Sequence, residues 1–89
     1  MQAHIFIHGF VQGVGFRRFV RGKAIFFGLK GWVKNTSDGR VEAVFQGDKS
    51  KIEELIKICE KGSFFAEVKS LQLDWEREKD NFKDFRILT

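Results

Sequence analysis

Two glycines one residue apart, Gly13 and Gly15, stand in the stretch VQGVGFRRF, and Arg17 and Arg18 follow at once. An apolar run precedes them and a helical apolar period comes after. A loop placed where a strand gives way to a helix makes a cradle of backbone N–H groups. The first amides of a helix have no internal acceptor, and the helix dipole adds partial positive charge there. Glycines let the backbone curl around an anion and approach it closely. Arg17, in the first helical turn, can add a bidentate guanidinium contact to two phosphate oxygens. The chemistry indicated is recognition of a phosphate group.

Two better-known glycine loops do not fit. The Walker pattern needs Gly-Lys followed by Ser or Thr, which is absent. The dinucleotide fingerprint needs a third glycine near position 18, which is Arg18, and a doubly wound sheet that 89 residues cannot hold. Taken alone, Gly-x-Gly-Phe-Arg equally fits a tight turn beside a surface arginine.

The elements that must position these residues follow from periodicity. Ala3 to Val11 reads as a strand, with Ile5 and Ile7 on one face and His4, Phe6 and His8 on the other. Phe16, Phe19, Val20, Ala24 and Phe27 recur at helical spacing, and Gly28 is a left-handed stop. Leu29 to Asn35 reads as a second strand. TSDGR supplies turn chemistry, and Val41, Ala43 and Phe45 then alternate as a third strand in a hairpin with the second. A second helix carries the stripe Ile52, Leu55, Ile56 and Cys59. Asp48 or Ser50 can cap it, Ser50 with Glu53 fitting a capping box, and Gly62 lies just past its end. Val68 to Trp75 forms another strand, with Leu71, Leu73 and Trp75 on one face. EREKDN is a charged turn, and Phe85 with Ile87 mark a short final strand. The order predicts an α+β, ferredoxin-like sandwich over residues 1–89 as a single domain, its antiparallel sheet carrying both helices on one face.

Several residues have plain structural readings. Asn35, beside a turn, is by itself a turn residue, and Asp38 with Gly39 serves the hairpin. Arg18 points about 100° away from Arg17 around the helix and reads as a solvated charge, as does Arg21. His4 and His8 lie about 13 Å apart along their strand, too far to ligate one metal unaided. Cys59 falls in an apolar stripe and reads as core. Phe16 flanks both the loop and the helix start, and its role stays open.

GFVQGVGFRRF followed by GLKGWVKNTSDGRVEAVFQG resembles the acylphosphatase family, and the resemblance extends through the helix order and DFRIL over the whole chain. It implies that Arg17 binds the substrate phosphate and that Asn35, ending the second strand, positions the attacking water. The loop amides of Gln12, Gly13, Val14, Gly15 and Phe16 would form the cradle. The substrate implied is a small acyl phosphate, with inorganic phosphate as product or inhibitor. An acyl phosphate is a mixed anhydride whose leaving carboxylate needs no proton donor, so holding the phosphoryl group and aiming a water suffice. A neutral amide suits the water-holding role. No metal and no cofactor are implied. Phe10 and the segment GSFFAEV depart from the family pattern, which often has a basic or polar residue beside the loop and Gly-Pro before the fourth strand.

Composition narrows the alternatives. Sixteen basic against twelve acidic residues give a net charge of +4, which favours anionic partners without choosing among them. The longest apolar run, Ala24 to Phe27, is too short to span a bilayer. MQAHIFIHGF has no signal-peptide character. A lone cysteine excludes an internal disulfide and suits a cytoplasmic setting. A monomer without membrane or nucleic-acid partners is expected. An RNA-recognition module shares the element order, but it needs closely spaced aromatics on its third strand, where this chain has Glu42 and only Phe45. A carbamoyl-phosphate-handling domain fused to a larger hydrogenase-maturation enzyme would share loop and fold, and chain length argues against it.

Overall fold

The computed structural model describes residues 1–88. Strand β1 (Gln2–Phe10) leads through the glycine loop into helix α1 (Phe16–Phe26), followed by β2 (Lys30–Asn35), β3 (Val41–Gln46), helix α2 (Lys49–Lys61), β4 (Glu67–Glu76) and β5 (Phe85–Leu88). The five strands form one sheet in the order β4-β1-β3-β2-β5.

Alternation decides which face is buried. Ala3, Ile5 and Ile7 of β1, Val33 of β2 and Val41, Ala43 and Phe45 of β3 all point to one side and are solvent-free. Against them pack Phe16, Val20 and Ala24 of α1 and Ile52, Leu55, Ile56 and Cys59 of α2. α1 lies over β2 and β5, and α2 lies over β4. Burial of these aliphatic and aromatic side chains is the main stabilising term, about 1.5–3 kcal/mol for each large one.

The sheet is mixed, not wholly antiparallel as expected. β1 runs antiparallel to β3 and β4, and β2 to β3, but β5 runs parallel to β2. The reason is topological. β4 finishes at the end of the sheet where β1 and β2 begin, and the segment 77–84 crosses along that end to the opposite edge. β5 therefore starts beside the start of β2 and runs the same way. The crossing is pinned where the Met1 ammonium meets Glu78 at 3.0 Å and where the Gln46 amide donates to the Asp80 backbone oxygen at 2.8 Å.

The capping of α2 also differs in part. Asp48 is the N-cap, accepting from the Ser50 backbone N–H at 2.9 Å. Ser50 already lies inside the first turn, so the Ser50–Glu53 box does not form. The hydrogen bonds from Ser50 hold the Asp48 carboxyl below its ordinary range.

Candidate functional site

The loop after β1 and the end of β2 lie at the same end of the sheet, opposite the 77–84 crossing. Val11 and Phe16 anchor the two ends of the loop, each about 1% exposed. Phe16 thus spends its ring on the core, where it stacks on Phe19, and offers only its backbone to the loop. Between the anchors, Gly13 and Gly15 adopt φ of 75° and 78°. A Cβ on either would meet nothing within 4 Å, so the backbone conformation, not crowding, requires glycine there.

Gly15 is the N-cap of α1 and supplies no side-chain acceptor, and no acidic residue sits in the first turn. The amides that open α1 therefore remain available to an anion, with the positive end of the helix behind them. Arg17 is half-buried in that turn. Among the described residues neither Arg17 nor Arg18 has an ion-pair partner. Arg17, Gly13, Gly15 and Phe16 share the wall of a pocket of about 300 Å³ with Val11, Arg18 and Ile87. Arg18 is exposed, as expected, yet it borders this pocket. Among the described residues no histidine or carboxylate lines it.

Asn35 is the last residue of β2, on the same side of the strand as the buried Val33. It lies outside the pocket wall. Its Oδ1 is buried and has no hydrogen-bond partner, an uncommon state for a buried acceptor. The turn beyond it is tightly bonded. The Thr36 Oγ1 accepts from the Arg40 backbone N–H at 3.0 Å, and Arg40 Nε donates to Asp38 at 3.0 Å. Arg40 first, then Thr36, draws the Asp38 carboxyl down to about 2. Asp38 and Gly39 thus serve the hairpin.

One contact joins the two halves of the site, and sequence reasoning missed it. The Gln12 side-chain amide donates to the backbone oxygens of Thr36, at 2.9 Å, and Arg40, at 2.8 Å. Gln12 entered the sequence reading only as a loop amide, and no local signal reveals a bond to residues 24 and 28 positions away. Ile87 in the pocket wall was equally invisible, because it arrives from β5.

The plain structural readings hold elsewhere. The His4 ring lies between two carboxylates on the open sheet face, Nε2 2.6 Å from Glu42 and Nδ1 3.2 Å from Glu76. Burial pushes Glu76 up, but hydrogen bonds from Gln2 and His4 outweigh it and hold the carboxyl below its usual range. Arg21 Nε donates to the Phe85 backbone oxygen at 3.3 Å. Cys59 is fully buried, and desolvation pushes its thiol up to about 12. Among the described residues no group of three or more His, Cys, Asp or Glu side chains is placed to hold a metal ion. Among the described residues no helix is long and apolar enough to cross a membrane.

Residues 3–87 match the family model for acylphosphatase. The chain belongs to the acylphosphatase family. It is 44% identical over 89 residues to the acylphosphatase of Pyrobaculum islandicum, covering 99% of this chain and 94% of that protein. The crystal structure of acylphosphatase from Bacillus subtilis superposes with a TM-score of 0.95 at 36% identity, covering 99% of this chain and 98% of that one. Full-length HypF in its phosphate- and nucleotide-bound form is also similar, with a TM-score of 0.89 at 36% identity, but this chain spans only 12% of it. Family, ferredoxin-like architecture and reaction class accord with the sequence expectation: an acylphosphatase is a hydrolase of acyl phosphates, and this chain shares that class.

Proposed function

We propose that residues 1–89 form one metal-independent acylphosphatase domain in which Arg17 and the amides of Gln12, Gly13, Val14, Gly15 and Phe16 hold the phosphoryl group while Asn35 aims a water at it. The Arg17 fork grips two phosphoryl oxygens, and the uncapped amides of the loop and helix start take the third. The Asn35 Oδ1 accepts a hydrogen bond from the water, which turns the water's lone pair toward phosphorus. Attack forms the new O–P bond in line with the bond to the acyl oxygen. That bond breaks, and its electron pair leaves on a carboxylate. The proton released by the water passes to a phosphate oxygen, since among the described residues no histidine or carboxylate borders the pocket to take it. The products are a carboxylate and inorganic phosphate, and phosphate keeps the phosphoryl contacts and so competes with substrate.

The observation that carries this reading is the buried, unpartnered Oδ1 of Asn35 at the loop end of the sheet. No cofactor enters. The single buried thiol fits a cytoplasmic monomer.

The test is hydrolysis of benzoyl phosphate in EDTA by the wild type beside Arg17→Ala and Asn35→Ala. Turnover by the wild type alone supports the reaction, its metal independence and both roles. A folded wild type without turnover overturns the reading.

A further inference from the structure

The open face of the sheet, turned away from both helices, is divided by charge. Register sets Trp32 between Val44 and Arg86, with His4 beyond Val44. On the β1–β4 half, His4 lies between Glu42 and Glu76, and Asp74 pairs with it in register. On the β2–β5 half, alternation turns Lys34 and Arg86 to the same side as Trp32. An anion approaching this face is drawn to the β2–β5 half.

That half holds a cleft of about 310 Å³. Trp32, Arg86 and Leu88 line it from the sheet, and Phe82 and Lys83 line it from the 77–84 crossing. Such a volume suits a small ligand. Trp32 and Phe82 are each only partly buried. Alternation sends Gly31 and Val33 toward the helices and leaves the Trp32 ring on the solvent side. Phe82 is held from both directions: the Gln46 amide donates to the Asp80 backbone oxygen at 2.8 Å, and the Gly31 N–H donates to the Asp84 backbone oxygen at 2.9 Å. Both rings are therefore positioned by the fold itself.

The charge around the rings is mainly positive. Lys34 Nζ lies 5.4 Å from the Trp32 ring centre. Arg86 holds Asp84 through Nε, at 3.0 and 3.1 Å, and its two Nη groups carry four further donors. Among the described residues Lys83 has no ion-pair partner.

We infer that this cleft binds a planar aromatic anion, its ring against Trp32 and Phe82 and its phosphate or carboxylate on Arg86 and Lys83. A ring without charge gains only the aromatic contact, and an anion without a ring gains only a screened surface attraction. The cleft shares no lining residue with the phosphate pocket, so this binding is separate from hydrolysis.

The chain has two tryptophans, and Trp75 lies on β4 at the far edge of the sheet. Trp75→Phe therefore leaves Trp32 as the only tryptophan reporter, and Arg17→Ala in the same chain disables the phosphate pocket. This double variant is titrated with AMP, adenosine, benzoate, benzamide and ribose 5-phosphate, reading Trp32 fluorescence and the heat of binding. AMP or benzoate is expected to bind saturably, about tenfold tighter than its neutral counterpart and than ribose 5-phosphate. The tighter of the two identifies the anionic group as phosphate or carboxylate. Adding Phe82→Ala should weaken that ligand about tenfold, and adding Lys83→Gln/Arg86→Gln should bring it close to its neutral counterpart. No saturable binding of AMP or benzoate up to about 5 mM, equal binding of the neutral or ringless ligands, or an affinity that neither added change alters overturns the inference. The hydrolase reading stands or falls separately, on benzoyl phosphate turnover by the wild type.

Discussion

The side-chain amide of Gln12 donates to the backbone oxygen of Thr36 at 2.9 Å, one residue beyond Asn35. The phosphate loop and the strand end that carries Asn35 are thereby fixed to each other by a side chain that need not touch substrate. Gln12→Ala removes this bond and the one to Arg40 while keeping the loop amide. The expected stability loss is about 1–2 kcal/mol, read from urea unfolding. With the water misaligned relative to the phosphoryl group, kcat should fall about tenfold or more while phosphate inhibition changes little. Gln12→Glu should be worse than Gln12→Ala, because it faces two carbonyl oxygens with an acceptor.

Asn35→Ala separates function from stability. Its Oδ1 has no partner in the fold, so removing it deletes no native hydrogen bond, and stability should equal or exceed that of the wild type. Turnover should drop by about 10²-fold or more, while the Ki for inorganic phosphate stays near its wild-type value. Equal loss of phosphate affinity in Asn35→Ala and Arg17→Ala would refute the assignment of Asn35 to the water.

Arg17→Ala should lose both phosphate inhibition and turnover, kcat/KM falling by about 10²–10³. Arg17→Lys should remain poor. A single ammonium restores the charge but not the two-pronged contact. Competitive inhibition by phosphate, measured beside turnover, separates the two losses.

Gly15→Ala places a Cβ on a residue at φ 78° in otherwise open space. The expected cost is about 1–2 kcal/mol from backbone conformation alone. Gly15→Asn should cost less, since asparagine tolerates the left-handed region better. Denaturant midpoints of the two variants order these costs.

Acid should weaken the β2–β3 turn in a defined window. Asp38 lies near 3.8 in the unfolded chain and about 2 in the folded one. Its depressed value means that its contribution is present above about pH 4 and is lost as pH falls toward 2. Asp38→Asn should flatten the stability profile over that window and leave it unchanged near neutrality apart from a constant offset.

The site was legible in the sequence wherever its signal was local. The glycine pair, Arg17 and the helix period sit within a few residues of one another, and so do the turn residues after Asn35. What was missed depends on strand order. The parallel pairing of β5 follows from which end of the sheet β4 leaves, and it alone brings Ile87 to the pocket. The Gln12 tie and the His4 carboxylate pair join positions 24 to 72 residues apart, and only register sets such contacts. Trp75 shows the same limit. It shares a strand face with Leu71 and Leu73, as the alternation implied, but β4 is an edge strand and the ring remains 37% exposed. The choice of Asp48 over Ser50 as cap turned on a shift of two residues, below what periodicity resolves.

Cys59, sealed in α2 with its thiol pushed up to about 12, leaves the folded chain without a thiol that oxidants or thiol-alkylating reagents can reach. The thiolate is the reacting form, and here it is neither populated nor reachable. A disulfide reagent can capture the sulfur only after α2 lifts from the sheet. Where reclosing outpaces capture, the labelling rate gives the free energy of that opening. The molecule thus carries its own reporter of excursions from the native state.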